Sequence, residues 1–234
     1  MLPLFLIFSI ANVILIFISL KRLKEDISVC LLAALTAAIL PWYIMLIQEG
    51  SWYLSFFSIP LILIALLAKF LRANYKKVGR CLLFLAAFLF LGSVFNIPKY
   101  TNVEVDIQRT HADKLGIKHI PLIFSNKLIE SFRFRENLLF ENIDFGNYLF
   151  VGHPRERVGV QEIHKLYFFM VPFLILGLIK VDKNLGWFLA GWGALSLSIP
   201  VVLADRSITS GIFLIFPIAY LTALGIMSFK RAFG

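Results

Sequence analysis

Long apolar runs, separated by short polar clusters, repeat along most of the chain. Seven of them can be marked off: 2–20, 27–47, 52–71, 81–97, 166–181, 184–203 and 207–229. The first holds 19 residues with no Asp, Glu, Lys or Arg; at ~1.5 Å per helical residue it reaches roughly 28 Å, about one hydrocarbon thickness. The fourth and fifth runs are short and need flanking aromatics or a locally thin bilayer to cross. The pattern predicts an all-α, polytopic membrane protein with about seven transmembrane helices and one extracytoplasmic segment of about 70 residues. Four spans fall in 1–95, the polar segment in 96–165, and three spans in 166–234. Inside the polar segment, Val103-Glu104-Val105-Asp106-Ile107 alternates like a short strand. Residues 126–140 read as an amphipathic helix, with Leu128, Ile129, Phe132 and the Leu138/Leu139 pair near one face. Such a helix is expected on the outer membrane surface or on the tops of the spans.

The charges between the runs set an orientation. Lys21, Arg22, Lys24, Lys69, Arg72, Lys76, Lys77, Arg80, Lys180, Lys183, Lys230 and Arg231 fall in alternate connections, whereas the opposite short connections hold only Arg206. The positive-inside rule places the first set in the cytoplasm, so the N-terminus is expected outside the cell membrane and the C-terminus inside. Composition agrees with the class: 59% of residues are apolar and only 16% charged, against about 25% charged in a soluble domain. Disorder and a water-exposed globular surface are both excluded by that balance. The net charge of +9, and the 69–80 stretch above all, read as an orientation signal with attraction to anionic lipid. No nucleic-acid partner is expected. No basic residue precedes the first run and Lys21-Arg22-Leu23-Lys24 follows it, so it reads as an uncleaved span rather than a secretory signal. Cys30 and Cys81 fall near cytoplasmic helix ends, where no disulfide is expected.

Candidate chemistry is sparse. His111, His119, His153 and His164 match no metal-ligand spacing, and no metal or cofactor is expected. In His153-Pro154-Arg155-Glu156-Arg157, two guanidinium forks beside the outer leaflet could hold a lipid phosphate bidentately. They could equally snorkel to head groups or pair with Glu156 and Glu162. Asp205-Arg206 is the charge pair between the last two spans, either an arginine facing a lipid phosphate or a charged cap on a tight outer turn. None of the seven runs carries Asp, Glu, Lys, Arg or His at its middle, which disfavours an ion-coupled carrier. Pro41, Pro60, Pro172, Pro200 and Pro217 permit kinks but form no matched inverted pair. A Gly-rich phosphate loop, a Ser/His/Asp set and an H-E-x-x-H motif are all missing, and Glu49 and Asp205 are the carboxylates of the short outer loops.

One ordered set of weak motifs covers about 120–229. It comprises Leu122-Ile123-Phe124-Ser125-Asn126-Lys127, Phe145-Gly146-Asn147-Tyr148-Leu149-Phe150, and His153-Pro154-Arg155-Glu156-Arg157-Val158-Gly159-Val160. Pro172-Phe173-Leu174-Ile175-Leu176-Gly177 follows, then Asp205-Arg206 with Ile215-Phe216-Pro217 and Leu224-Gly225. That order resembles the later half of bacterial GT-C membrane glycosyltransferases, relatives of the dolichyl-phosphate-mannose–protein mannosyltransferases. The resemblance implies a polyprenyl-phosphate sugar as donor, contacted by Arg206 and by Arg155 and Arg157. Those enzymes carry an acidic catalytic motif in the first outer loop, where this chain offers only Gln48-Glu49-Gly50. The resemblance therefore implies a chain lacking the catalytic loop and leading helices, with a membrane partner to supply them; Glu49, or an acid in 96–165, is the weak candidate for a general base if the chain transfers a hexose itself. The other expectation is a non-enzymatic membrane scaffold or lipid-binding subunit.

Overall fold

The computed structural model describes residues 2–48, 53–95, 127–143, 166–203 and 212–233. Among them every regular element is helical: α1 Leu2–Arg22, α2 Ile27–Ile39, α3 Pro41–Gln48, α4 Tyr53–Phe95, α5 Lys127–Ile143, a tight turn Phe168–Met170, α6 Val171–Lys180, α7 Lys183–Leu203 and α8 Ile215–Phe233. The strand expected over 103–107 lies outside the described residues.

By length and composition, four helices can cross a membrane: Leu4–Arg22, Leu54–Phe95, Lys183–Leu203 and Ile212–Phe233. The surface they present is hydrocarbon. Leu6, Ile7, Ile10 and Ile14 of α1 are exposed, as are Phe84 and Phe88 of α4. Contiguous apolar surface on this scale is unsuited to water and fits a bilayer.

Four of the seven apolar runs take a different form from a simple span. The second run breaks at Leu40, whose ψ of 128° is extended, because Pro41 disfavours the helical region for the residue before it. Two helices, α2 and α3, result. The third and fourth runs are joined: residues 72–80, read as a connection, stay helical, and α4 runs for 43 residues. A straight helix of that length would measure about 64 Å, twice a hydrocarbon core. It is not straight, because Asn74 is non-helical at φ −131°, ψ 19°, and its side-chain amide donates to Phe70 O at 3.1 Å. The fifth run forms the apolar stretch Phe168–Lys180, shorter than a hydrocarbon core.

The limbs of α4 on either side of Asn74 run in opposite senses along α7. In the first limb, Phe56 and Pro60 face the Leu195–Leu203 part of α7, and Tyr75, just past the bend, meets Phe188. In the second, Gly79 lies against Trp187 and Gly191. Val94, near its end, accepts from Ser131 of α5, one turn from Arg135, which reaches Val201. So number rises against number in the first limb and with it in the second.

Polar side chains set the register of α1 on the first limb. Asn12 Nδ2 donates to Leu54 O at 2.7 Å, Ser19 to Leu61 O at 2.9 Å and Arg22 to Ala65 O at 3.4 Å. The near-constant offset makes the pair parallel. Tyr43 of α3 donates to Ser9 O at 2.8 Å, folding α2 and α3 back along α1. The reversal between α1 and α2 is a Schellman cap: Glu25 N donates to Leu20 O and Lys24 N to Lys21 O, with Lys24 at φ 61° where glycine is usual. Asp26 then caps α2 by accepting from Ser28 N at 3.1 Å. On the other side, α6 and α8 pack antiparallel, Gly177 against Leu221 and Gly225 against Phe173.

Candidate functional site

Outside α5, every charged residue among those described belongs to one end of the bundle: twelve basic residues on α1, α4, α6, α7 and α8, with Glu25, Asp26 and Asp182. The contacts join them. Arg231 pairs with Asp26 at 2.9 Å, Tyr220 donates to Glu25 at 3.0 Å, and Asp182 caps α7 through Asn184 N and Leu185 N. Four runs of sequence far apart along the chain, 21–26, 69–80, 180–183 and 230–231, thus carry the charges of that end.

Glu25 at that end is half-buried, and burial is the main cause that raises its carboxyl above the usual 4.5; the Tyr220 hydrogen bond opposes this, and Asp182 and Asp26 reinforce it. A carboxyl whose pKa is higher folded than unfolded binds protons more readily in the folded state. Stability should therefore be fullest below about pH 4.5 and should fall as pH rises through the raised value. Glu25→Gln is expected to flatten that slope in thermal unfolding between about pH 4 and pH 8. A slope unchanged in the variant would assign it to another group.

The opposite end holds the cavity. A space of about 750 Å³ lies between the first turns of the α4 limb and the last turns of α7, bounded by Phe56, Pro60, Trp192, Ile199, Leu203 and Phe213. Trp192 builds one wall: its indole N–H donates to Phe213 O at 2.8 Å, holding the start of α8 against α7, and its ring lies 5.6 Å from that of Phe216. Phe213 also meets Phe57 edge-on at 6.0 Å. Ser196 is the polar side chain on the lining, and its hydroxyl is turned back to Trp192 O at 2.7 Å. Phe56 and Leu203 are exposed at its edge, so the cavity opens at the protein surface between apolar side chains. Its chemistry is that of an apolar chain site, within the size range of small-ligand pockets.

Above the cavity, α5 closes the end of α7. It covers Lys127–Ile143, as the periodicity of 126–140 predicts, and Leu138 of the expected apolar face is covered by the protein. Ser131, Arg135 and Leu138 are covered, while Phe132 is exposed and meets Phe90 edge-on. Beside these apolar contacts, the last turn of α4 offers Val94 O to Ser131, and α7 offers its last carbonyls to Arg135. Arg135 is 1% exposed and donates through Nη1 to Val201 O and Val202 O. These carbonyls belong to the last turn of α7, where no helical donor remains and where a cation complements the helix dipole.

Of the residues singled out in the sequence, Glu49, Arg155, Arg157 and Arg206 lie outside the described residues, as do Asp205 and the four histidines. Along the chain Arg206 falls in the eight residues that separate Leu203 from Ile212, and Leu203 and Phe213 line the cavity. Asn12 and Arg135 had been passed over. Asn12, 0% exposed, also accepts from Ser58 at 2.7 Å; an amide at the centre of a 19-residue apolar run was the signal available for it. For Arg135 the signal was its i, i+4, i+7 spacing with Ser131 and Leu138. Among the described residues, no three His, Cys, Asp or Glu side chains group as metal ligands. Searches of protein-family models, curated proteins and solved structures return no match to this chain.

Proposed function

We propose that this chain is a seven-span membrane protein, N-terminus outside, that binds a polyprenyl phosphate. The hydrocarbon tail occupies the cavity between α4 and α7, and the phosphate faces Arg206, with Arg155 and Arg157 as further contacts. The cavity carries this reading. It is apolar, it opens at the protein surface between apolar side chains, and Leu203 and Phe213, which flank Arg206 along the chain, line it. The charge segregation supports the orientation, since the twelve basic residues sit at the end remote from the cavity. In the transferase-like form of the reading, Glu49, seven residues before Phe56, is the candidate base for an acceptor hydroxyl; in the lipid-binding-subunit form it has no such role. Both forms share the lipid.

Arginine holds a phosphate through two parallel hydrogen bonds that lysine cannot reproduce. Arg206→Lys and Arg206→Ala should therefore both weaken binding of a polyprenyl phosphate to the purified protein, on the order of tenfold or more. Binding of the neutral polyprenol should stay unchanged. A protein that binds the phosphate no better than the polyprenol, or an Arg206→Ala variant that binds as tightly as wild type, would end this reading.

A further inference from the structure

The bend of α4 gathers a second lipid-facing feature, at the other end of the molecule. Lys69, Arg72, Lys76, Lys77 and Arg80 flank Asn74 within twelve residues, and all five are exposed. Lys69 and Arg72 stand on the last turns before the bend, and Lys76 and Arg80, four residues apart, share one side of the limb that follows it. Arg80 is held in place, its guanidinium 5.5 Å from the centre of the Trp187 ring, and Trp187 lies against Gly79. Nearby carboxylates are engaged elsewhere: Asp182 caps α7, Asp26 pairs with Arg231 and Glu25 accepts from Tyr220. Among the described residues none of the five cations forms an ion pair.

Among and beyond the cations, both limbs are apolar and exposed, with Leu66 and Phe70 on one side and Phe84 (80% exposed) and Phe88 on the other. A soluble anion would match the charges but leave this surface unused. An anionic phospholipid matches both parts at once. We propose that the bend is a binding site for the head group of an anionic phospholipid in the adjacent leaflet, its phosphate held by Arg72, Lys76 and Arg80. Its acyl chains lie on the exposed face of a limb. The indole of Trp187, amphipathic and at the helix end, marks the same depth. The site is independent of the cavity and of the lipid proposed for it.

Native mass spectrometry of the full chain, released from detergent with added lipid, tests the site. Phosphatidylglycerol is expected to stay bound where phosphatidylcholine does not, and inorganic phosphate should not displace it. Arg72→Gln, Lys76→Gln and Arg80→Gln together should weaken phosphatidylglycerol binding on the order of a hundredfold. Removing three charges elsewhere at the same end, by Lys21→Gln, Lys24→Gln and Lys230→Gln, should weaken it far less. Equal losses in the two variants would mean a diffuse field rather than a site. Equal retention of phosphatidylcholine, or ready displacement by inorganic phosphate, would overturn the lipid assignment on wild-type protein alone, whatever the variants do.

Discussion

Gly225→Ala is expected to destabilise the protein by about 3 kcal/mol or more, against the usual sign of a helix-interior glycine-to-alanine change. A Cβ at Gly225 would overlap the backbone carbonyl of Phe173, and one at Gly177 would overlap that of Leu221. These atoms are main chain, so no side chain can move aside and α6 and α8 must separate. Between helices in lipid this is costly, because close backbone approach supplies the packing and there is little hydrophobic gain to replace it. Gly92 and Gly193 provide the control. Nothing lies within 4 Å of a Cβ at either position, so Gly92→Ala and Gly193→Ala should be neutral or stabilising by up to about 1 kcal/mol through reduced chain entropy. Reversible unfolding in mixed micelles would measure all four. If Gly225→Ala and Gly177→Ala behave like the controls, α6 and α8 are not in backbone contact.

Arg135→Ala should have the next largest effect, roughly 3 kcal/mol or more. It removes the donor to the Val201 and Val202 carbonyls and empties the volume of a side chain that is 1% exposed. Arg135→Met separates the two contributions, since it restores much of the volume but none of the hydrogen bonds; it should recover only part of the loss. Asn137→Ala, two residues away on the exposed side, should change stability by less than about 1 kcal/mol. Hydrogen exchange gives a local readout: protection should fall over α5 and the last turn of α7, with α1 and α2 unaffected. Arg135→Met with wild-type stability would show that the cap contributes little and that α5 is held by packing.

How each feature could be read depends on the distance over which it is determined. The α5 helix was legible because 3.6-residue periodicity is local, whereas the carbonyls that Ser131 and Arg135 reach belong to α4 and α7 and leave no mark on 126–140. The break at Leu40 was available from Pro41 alone. The bend at Asn74 was hidden by its own surroundings: a run of Lys and Arg reads as a connection, although lysine and arginine are good helix formers and the chain stays helical through 72–80. The cavity had no local signature, because its walls are drawn from 56–60, 192–203 and 213.

By itself, the amino-acid sequence determined the helical class and the long apolar segments of a kind that suits a membrane, for these follow from composition and from runs within one segment. Only the tertiary structure decided which side of each apolar helix is covered. In a soluble protein the polar face marks the outside, but lipid is as apolar as a protein core, so α1, α4 and α7 carry no such mark along most of their length. What distinguishes their buried faces is small and sparse: Asn12 and Ser19 toward Leu54 and Leu61, Gly79 toward Gly191, Gly177 and Gly225 toward α8 and α6. Each has meaning only with its partner, and every partner lies more than forty residues away along the chain.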